Sequence, residues 1–394
     1  MRWGATRIVL PLSLSYGEAS TLRQTSGGTA KGHADENLRN RARLGDMRWQ
    51  GDRLHSVAMT PKQPWKVLLT ARASFDAGKK AHELFRAAGC SVTVSEPFGP
   101  LDVAALTKAL HGFDAVLASS DAYNASFFAS PAIADLKIVS RWGVGLDCVD
   151  LGAATRAGVV ICNTPGLLDE AVADYAWALL FAVARRVDAG QELLRGGAWS
   201  VAWGHDVHGK TLGIIGCGRI GKAMARRAVG FGMRVLGHDP HVVKTGSEGI
   251  ELVDLDRLLA ESDFVSLHSA LTPENRGLVG AAQLAKMKPT SYLINTARGA
   301  LVDEGALIAA LHRGAIAGAA LDAFAAEPLP TDSPLRHCPR LLITPHQAFN
   351  SVETGEKVSL MAAEAIVELM HGRRPKQVAN PDVLASPTLR APIR

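Results

Sequence analysis

At 394 residues the chain exceeds the roughly 250–300 at which a single hydrophobic core stops growing, so two domains are expected. An apolar share of 47% excludes disorder throughout, and a net charge of +5, spread without a basic run, gives no nucleic-acid surface. The five cysteines are odd in number with no C-x-x-C pair, and no apolar run approaches the roughly 20 residues that span a bilayer; a reduced cytoplasmic protein without a structural metal or membrane segment is expected.

Residues 1–60 are expected to form a disordered extension, because 17–52 is rich in Ser, Thr, Gly, Arg and Asn without an apolar period. Arg2 and Arg7 precede any acidic residue, as in a targeting segment, whereas Glu18, Asp35 and Glu36 oppose that reading; Met59, just before the first strand, is an alternative start. From Trp65 the pattern becomes regular. Buried-strand runs at 65–71, 91–97, 114–120, 136–140 and 159–165 alternate with helical patterns at 79–89, 102–112 and 150–158. A long helical stretch covers 169–195. Strands then follow at 211–216, 234–239, 264–268, 292–297, 317–323 and 341–345, with helices at 219–229, 254–261, 281–287 and 304–313. A last helix spans 353–371, and residues 385–394 read as a loose tail. Strands alternating with helices require crossover connections and hence parallel pairing. The expected fold class is α/β: two doubly wound domains, Rossmann- or flavodoxin-like, with parallel sheets flanking a cleft.

The segment Gly216-Cys217-Gly218-Arg219-Ile220-Gly221 has the G-x-G-x-x-G spacing, with a strand running in and a helix running out. Gly216 suits a tight turn, Gly218 leaves the backbone open to a pyrophosphate, and Gly221 allows helix and strand to pack closely. The helix start offers free amides to the phosphates. Asp239, 18 residues after Gly221, ends the next strand, where a carboxylate accepts hydrogen bonds from ribose hydroxyls and repels a 2′-phosphate. NAD is the expected cofactor.

In an open parallel sheet, ligands bind beyond the carboxyl ends of the strands. Those ends carry His268 and Ser269, then Thr296, Ala297 and Arg298, then Asp322, then His346. Ser269, Thr296, Ala297 and Asp322 are therefore candidate cofactor contacts, with the glycine turn, Arg219, Ile220 and Asp239. His268, His312 and His337 are read as structural. Taken singly, His346 fits a packing residue, Arg298 a surface ion pair and Glu327 a solvated loop acid; their shared placement favours function.

The stretches RWGVGLDCVDL (141–151), NTPG (163–166), GKTLGIIGCGRIGKAMA (209–225), INTARGALVDEGAL (294–307), GAALDAFAAEPLP (318–330) and TPH (344–346) together resemble the D-isomer-specific 2-hydroxyacid dehydrogenases, especially the phosphoglycerate-dehydrogenase-like branch. The resemblance covers about 65–384. It implies that Arg298 binds the substrate carboxylate and carbonyl, that Glu327 pairs with the catalytic His, and that His346 is the acid/base. The chemistry agrees: reducing a 2-keto acid needs a proton at the carbonyl oxygen, which an imidazole supplies near neutral pH, and a guanidinium forks onto a planar carboxylate. The resemblance also implies that the Arg141–Gly145 loop meets the substrate, with free amides around Gly143, Val144 and Gly145 holding a carboxylate and Arg141 reaching a phosphate. An ion pair across the domain interface is the other reading of Arg141.

The sequence departs from the phosphoglycerate pattern at Ala118, Ser119 and Ser120, where that branch often has a further Arg, and at Leu168 and Asp169 after N-T-P-G. Phosphoglycerate, glyoxylate, hydroxypyruvate and bulkier 2-keto acids all remain open, and a chain ending soon after its last helix implies no serine feedback through an added domain. The expected partition is a cofactor domain at 164–345 and a substrate domain at 61–163 plus 346–384, hinged near 163–166 and 346–351. The helix after Gly166 would be a homodimer surface in this family, although its apolar residues at 171–183 equally suit a core. The rivals are a formate or phosphite dehydrogenase of the same fold and a non-enzymatic NAD-sensing scaffold of the corepressor kind.

Overall fold

The computed structural model describes residues 64–243 and 249–393; the expectations placed on 1–60 lie outside the described residues. The first sheet holds β1 (Lys66–Leu69), β2 (Ser91–Val94), β3 (Ala115–Ala118), β4 (Ile138–Arg141) and β5 (Val160–Cys162), in the order β2-β1-β3-β4-β5. All its pairings are parallel. Because successive strand residues face opposite ways, Val67 and Leu69 enter one core and Leu68 the other. Both faces are thus covered, which is why these strands read as continuous apolar runs rather than alternating ones.

The second sheet holds β6 (Thr211–Ile215), β7 (Arg234–His238), β8 (Ile250–Leu252), β9 (Phe264–Leu267), β10 (Tyr292–Asn295), β11 (Gly318–Leu321) and β12 (Leu341–Ile343). Its order is β12-β11-β10-β9-β6-β7-β8, again all parallel. The direction of winding reverses between β6 and β9, so a crevice opens beside the turn that leaves β6. Asp102, Asp150, Asp254, Asp303 and Ser351 cap the helices that follow them, each accepting a backbone N–H three residues on.

The final helix, Val352–Met370, returns to the first sheet: Val358, Ala362 and Ile366 share a core with Val67 and Leu69. Ser140 Oγ donates to the Ala362 carbonyl at 2.8 Å, and Trp142 Nε1 donates to Ser359 Oγ at 2.9 Å. The chain therefore passes between the sheets twice, over 163–168 and over 344–351.

Three expectations need correction. The second sheet has seven strands, not six; β8 is three residues long, too short to show a period. The 169–195 stretch is two helices, Asp169–Ala184 and Val187–Arg195, separated by Arg186 at φ +52°. The His205 amide returns to the Ala184 carbonyl at 2.7 Å, taking an acceptor that a continuous helix would use itself. The first of these helices is core, burying Val172, Ala176, Trp177, Leu180 and Val183, and the exposed apolar residues lie beyond it, at Val187, Leu194, Trp199, Val201 and Trp203. Finally, the tail is not loose. The Arg390 guanidinium donates to the carbonyls of Ile133, Ala134 and Leu136, its amide donates to the Gly158 carbonyl, and Ala391 is buried.

Candidate active site

The glycine turn leaves β6 into the Arg219–Gly230 helix. Gly216 has φ +96°, and a Cβ there would sit 2.5 Å from the Ser269 amide. A Cβ on Gly221 would overlap the Gly216 carbonyl, whereas one on Gly218 would meet nothing within 4 Å. Two glycines thus close the turn and the third leaves a cradle for a dinucleotide's phosphates. Asp239 lies against this turn, its Oδ2 accepting the Cys217 amide and its Oδ1 the His241 amide, both at 2.9 Å. Each oxygen keeps a lone pair for a ribose hydroxyl. These residues fit a bound NAD. The Arg219 side chain turns instead to Asp169, 2.8 Å away.

A cavity of about 720 Å³ opens between the carboxyl ends of the two sheets. The second sheet contributes Ser269, Thr296, Ala297, Arg298, Glu327 and His346, with Ile220 from the glycine-turn helix; the first contributes the loop from Arg141 to Cys148. His346 Nδ1 is 2.6 Å from Glu327 Oε2, and Glu327 Oε1 accepts the Phe324 amide at 2.9 Å. Burial pushes the Glu327 carboxyl up, but the bond to His346, its charge, the Phe324 amide and the Arg298 charge together hold it below the usual range. His346 has φ +52°, a left-handed turn that a non-glycine residue adopts only when its surroundings hold it there.

That holding comes from Asp322. Its carboxylate accepts Thr344 Oγ1 at 2.5 Å and the amides of Gln347 at 3.0 Å and Ala348 at 2.7 Å. It is fully buried and absent from the cavity wall. The expected cofactor contact at Asp322 is corrected accordingly: the loop carrying His346 wraps over this strand tip, and the carboxylate anchors the loop. Burial raises its pKa despite those bonds.

Arg298 faces Asp147 of the first unit's loop. Its Nε lies 3.1 Å from Oδ2 and 3.3 Å from Oδ1, its Nη2 lies 3.0 Å from Oδ1, and its Nη1 donates to the Ala297 carbonyl at 2.9 Å. Burial raises the Asp147 carboxyl, but the Arg298 hydrogen bonds and charge outweigh it and hold the carboxyl low. The loop is fixed from behind: the Gly143 amide donates to Thr164 Oγ1 and Asn163 Nδ2 donates to the Val144 carbonyl, both at 2.9 Å. The amides of Val144 and Gly145 donate to no acceptor among the described residues. Among the described residues Arg141 makes no cross-unit ion pair; its Nη2 donates to Ser120 Oγ at 2.7 Å and its Nη1 to the Trp142 carbonyl.

Two residues at the cleft escaped the sequence reading. Asp147 lies inside a quoted motif, but nothing local marks its partner. His268, read as structural, is part of the cavity wall. Its Nε2 is 2.8 Å from Ser266 Oγ, and its Nδ1 is buried without a partner among the described residues, as are Ser269 Oγ and Thr296 Oγ1. Burial pushes the imidazole down to about 3.

A doubly wound sheet with a dinucleotide turn, facing an imidazole–carboxylate couple and a guanidinium, defines a nicotinamide-dependent oxidoreductase. Residues 177–348 match the family model described as D-isomer specific 2-hydroxyacid dehydrogenase, NAD binding domain. A glyoxylate reductase of Korarchaeum cryptofilum is 46% identical over 258 residues, covering 63% of this chain and 77% of that protein. A D-3-phosphoglycerate dehydrogenase of Methanocaldococcus jannaschii is 40% identical over 250 residues, 62% of this chain and 48% of that protein, so the chain spans about half its length. Among solved structures, the TT0316 protein of Thermus thermophilus aligns with a TM-score of 0.72 at 39% identity, over 80% of this chain and 99% of that one. The chain belongs to the D-isomer specific 2-hydroxyacid dehydrogenase family. It is an NAD-dependent enzyme that moves a hydride between the nicotinamide and C2 of a 2-hydroxy or 2-keto acid. Among the described residues, no helix is long and apolar enough to cross a membrane.

Proposed function

We propose that the enzyme reduces small 2-keto acids, glyoxylate and hydroxypyruvate foremost, using NADH. The observation that carries this reading is the convergence of Arg298, the His346–Glu327 couple and the unpaired Val144 and Gly145 amides on one cavity. The glycine turn, Ile220 and Asp239 would hold the dinucleotide, with Ser269, Thr296 and Ala297 along the crevice. When bound there, NADH would be the source of the hydride for C2. Arg298 and the two amides bind the substrate carboxylate, and Arg298 also polarises the ketone. With Nδ1 held by Glu327, Nε2 of His346 delivers the proton to the C2 oxygen. Glu327 fixes the orientation of the ring. A small substrate matches the named activity of the Korarchaeum relative.

The two crossings, near 163–166 and 346–351, would serve as hinges between a cofactor domain at 164–345 and a substrate domain formed by the segments on either side; separate cores on the two sheets support this partition. We place the enzyme in the cytoplasm as a homodimer. Trp199 and Trp203 are 96% and 87% exposed beside Val187, Leu194 and Val201, an apolar run suited to a second copy; light scattering should give twice the chain's mass.

A second reading is favoured by one observation. An adjoining cavity of about 590 Å³ shares Arg141, Glu327 and His346 with the first, and Arg336 also lines it. Neither Arg141 nor Arg336 makes an ion pair among the described residues. Such a wall suits a 2-keto acid with a second anionic group, although Ala118 removes a further cation. An NADH-oxidation assay with glyoxylate, hydroxypyruvate, pyruvate and phosphohydroxypyruvate tests both readings. Turnover of the first two with NADH over NADPH is expected; no turnover of any keto acid would end the proposal.

A further inference from the structure

The side of Arg298 turned toward the first sheet is occupied by Asp147. The carboxylate takes the Nε–Nη2 edge of the guanidinium, at 3.0–3.3 Å. The Ala297 carbonyl takes one proton of Nη1. A guanidinium has five N–H donors, so one proton on each terminal nitrogen is left over, and those two form the outer fork that a planar carboxylate matches. The loop is shaped for this contact. A Cβ on Gly145 would overlap Arg298 Nη2, so the guanidinium reaches Asp147 only across a residue without a side chain. Thr164 and Asn163 hold the same loop from behind.

We propose that Asp147 is a positioning residue for the reaction, pinning the inner edge of Arg298 so that its outer fork meets the substrate carboxylate. Asp147 follows β4 of the first sheet and Arg298 follows β10 of the second. The pair therefore joins the two units at the cleft, and Arg298 is aligned when their loops are in contact. The neighbouring charges do not substitute for it: Glu327 is committed to His346, and Arg141 carries the same sign as Arg298. The inference rests on Arg298 binding the substrate carboxylate, as proposed above.

The test is a cycle of four full-length proteins: unchanged, Asp147→Ala, Arg298→Lys and the double variant, each assayed for glyoxylate reduction and titrated with NADH by fluorescence. Misaiming a binding group by about an ångström costs on the order of 100-fold, so Asp147→Ala should lower kcat/KM about 10- to 100-fold, chiefly through KM. The NADH dissociation constant should stay within about twofold, since uniform loss would signal a general structural effect. Asp147→Asn, which keeps one acceptor, should recover part of the loss and replaces the alanine variant if that one does not fold. In the Arg298→Lys background the Asp147 change should cost under about threefold, because interacting residues are not additive. An equal cost in both backgrounds, no cost at all, or a parallel loss of NADH binding overturns the assignment of Asp147. Normal kcat/KM in Arg298→Lys alone would instead remove the role of Arg298 on which it rests.

Discussion

The two side-chain pairs at the cleft are built in opposite ways. His346 and Glu327 are 19 residues apart, on loops that leave the neighbouring strands β12 and β11 of the same sheet, and Asp322 anchors one of those loops from below. Arg298 and Asp147 are 151 residues apart and come from different sheets. The first pair is preorganised by one unit alone. The second exists only where two units meet, with half of Asp147 open to solvent. In the mechanism we propose, proton delivery therefore falls to the local pair and carboxylate recognition to the distant one.

The sharpest way to break this contrast is to remove the local pair. His346→Gln should lower kcat for glyoxylate reduction by about 10³, within the span assigned to general acid–base catalysis, with little change in NADH affinity. A rate within about tenfold of the unchanged enzyme would mean that the proton comes from elsewhere. Glu327→Gln should cost less, about 10- to 100-fold in kcat, because the imidazole stays but its orientation is lost. The substrate KM should hold within about threefold, in contrast to the KM effect expected at Asp147. Equal KM effects at both positions would erase the distinction between the pairs. Acid sharpens it further. The folded pKa of Glu327 is lowered, so its contribution to stability is complete above the ordinary carboxylate range and is lost as pH falls through the lowered value. Melting temperatures of the enzyme and of Glu327→Gln should converge as pH is taken down.

The smallest effect is expected at His268, in the cavity wall, whose Nδ1 is buried without a partner among the described residues. Its folded pKa, about 3, lies below the ordinary value of 6.5. Between those two values the unfolded chain takes up a proton that the folded protein refuses, so stability falls as pH drops from 6.5. One proton corresponds to a limit of about 1.4 kcal/mol per pH unit. His268→Asn should flatten the denaturant-unfolding free energy over that window by up to this slope; an unchanged slope would show that the ring titrates normally.

The same contrast explains what was legible in the sequence. Strands buried on both faces read as apolar runs, so all but β8 were visible, and the glycine turn was visible because the need for each glycine is met within one short segment. The His346–Glu327 couple was expected only from the resemblance of its segments to the dehydrogenase family; taken singly, the two residues pointed to packing and a solvated loop. Asp147 could not be inferred, because its partner lies 151 residues away and only the packing of two sheets brings them together. Asp322 was misread for a related reason. A strand-tip position brings it to the site, but the path of the 344–348 loop decides whether it faces the cleft or the loop. Apolarity at 171–183 likewise told that the helix buries something, not that it is covered by its own chain, and Trp199 and Trp203, which are bare, drew no reading.

The absence of a side chain at Gly145 also limits how the enzyme can be remade. With Arg298 Nη2 already standing where a Cβ would go, every replacement at 145 displaces the guanidinium before it can alter selectivity. Val144, its neighbour, is 38% exposed and bears no such restriction. A directed-evolution library aimed at new keto acids should therefore concentrate its diversity at 144 and leave 145 untouched.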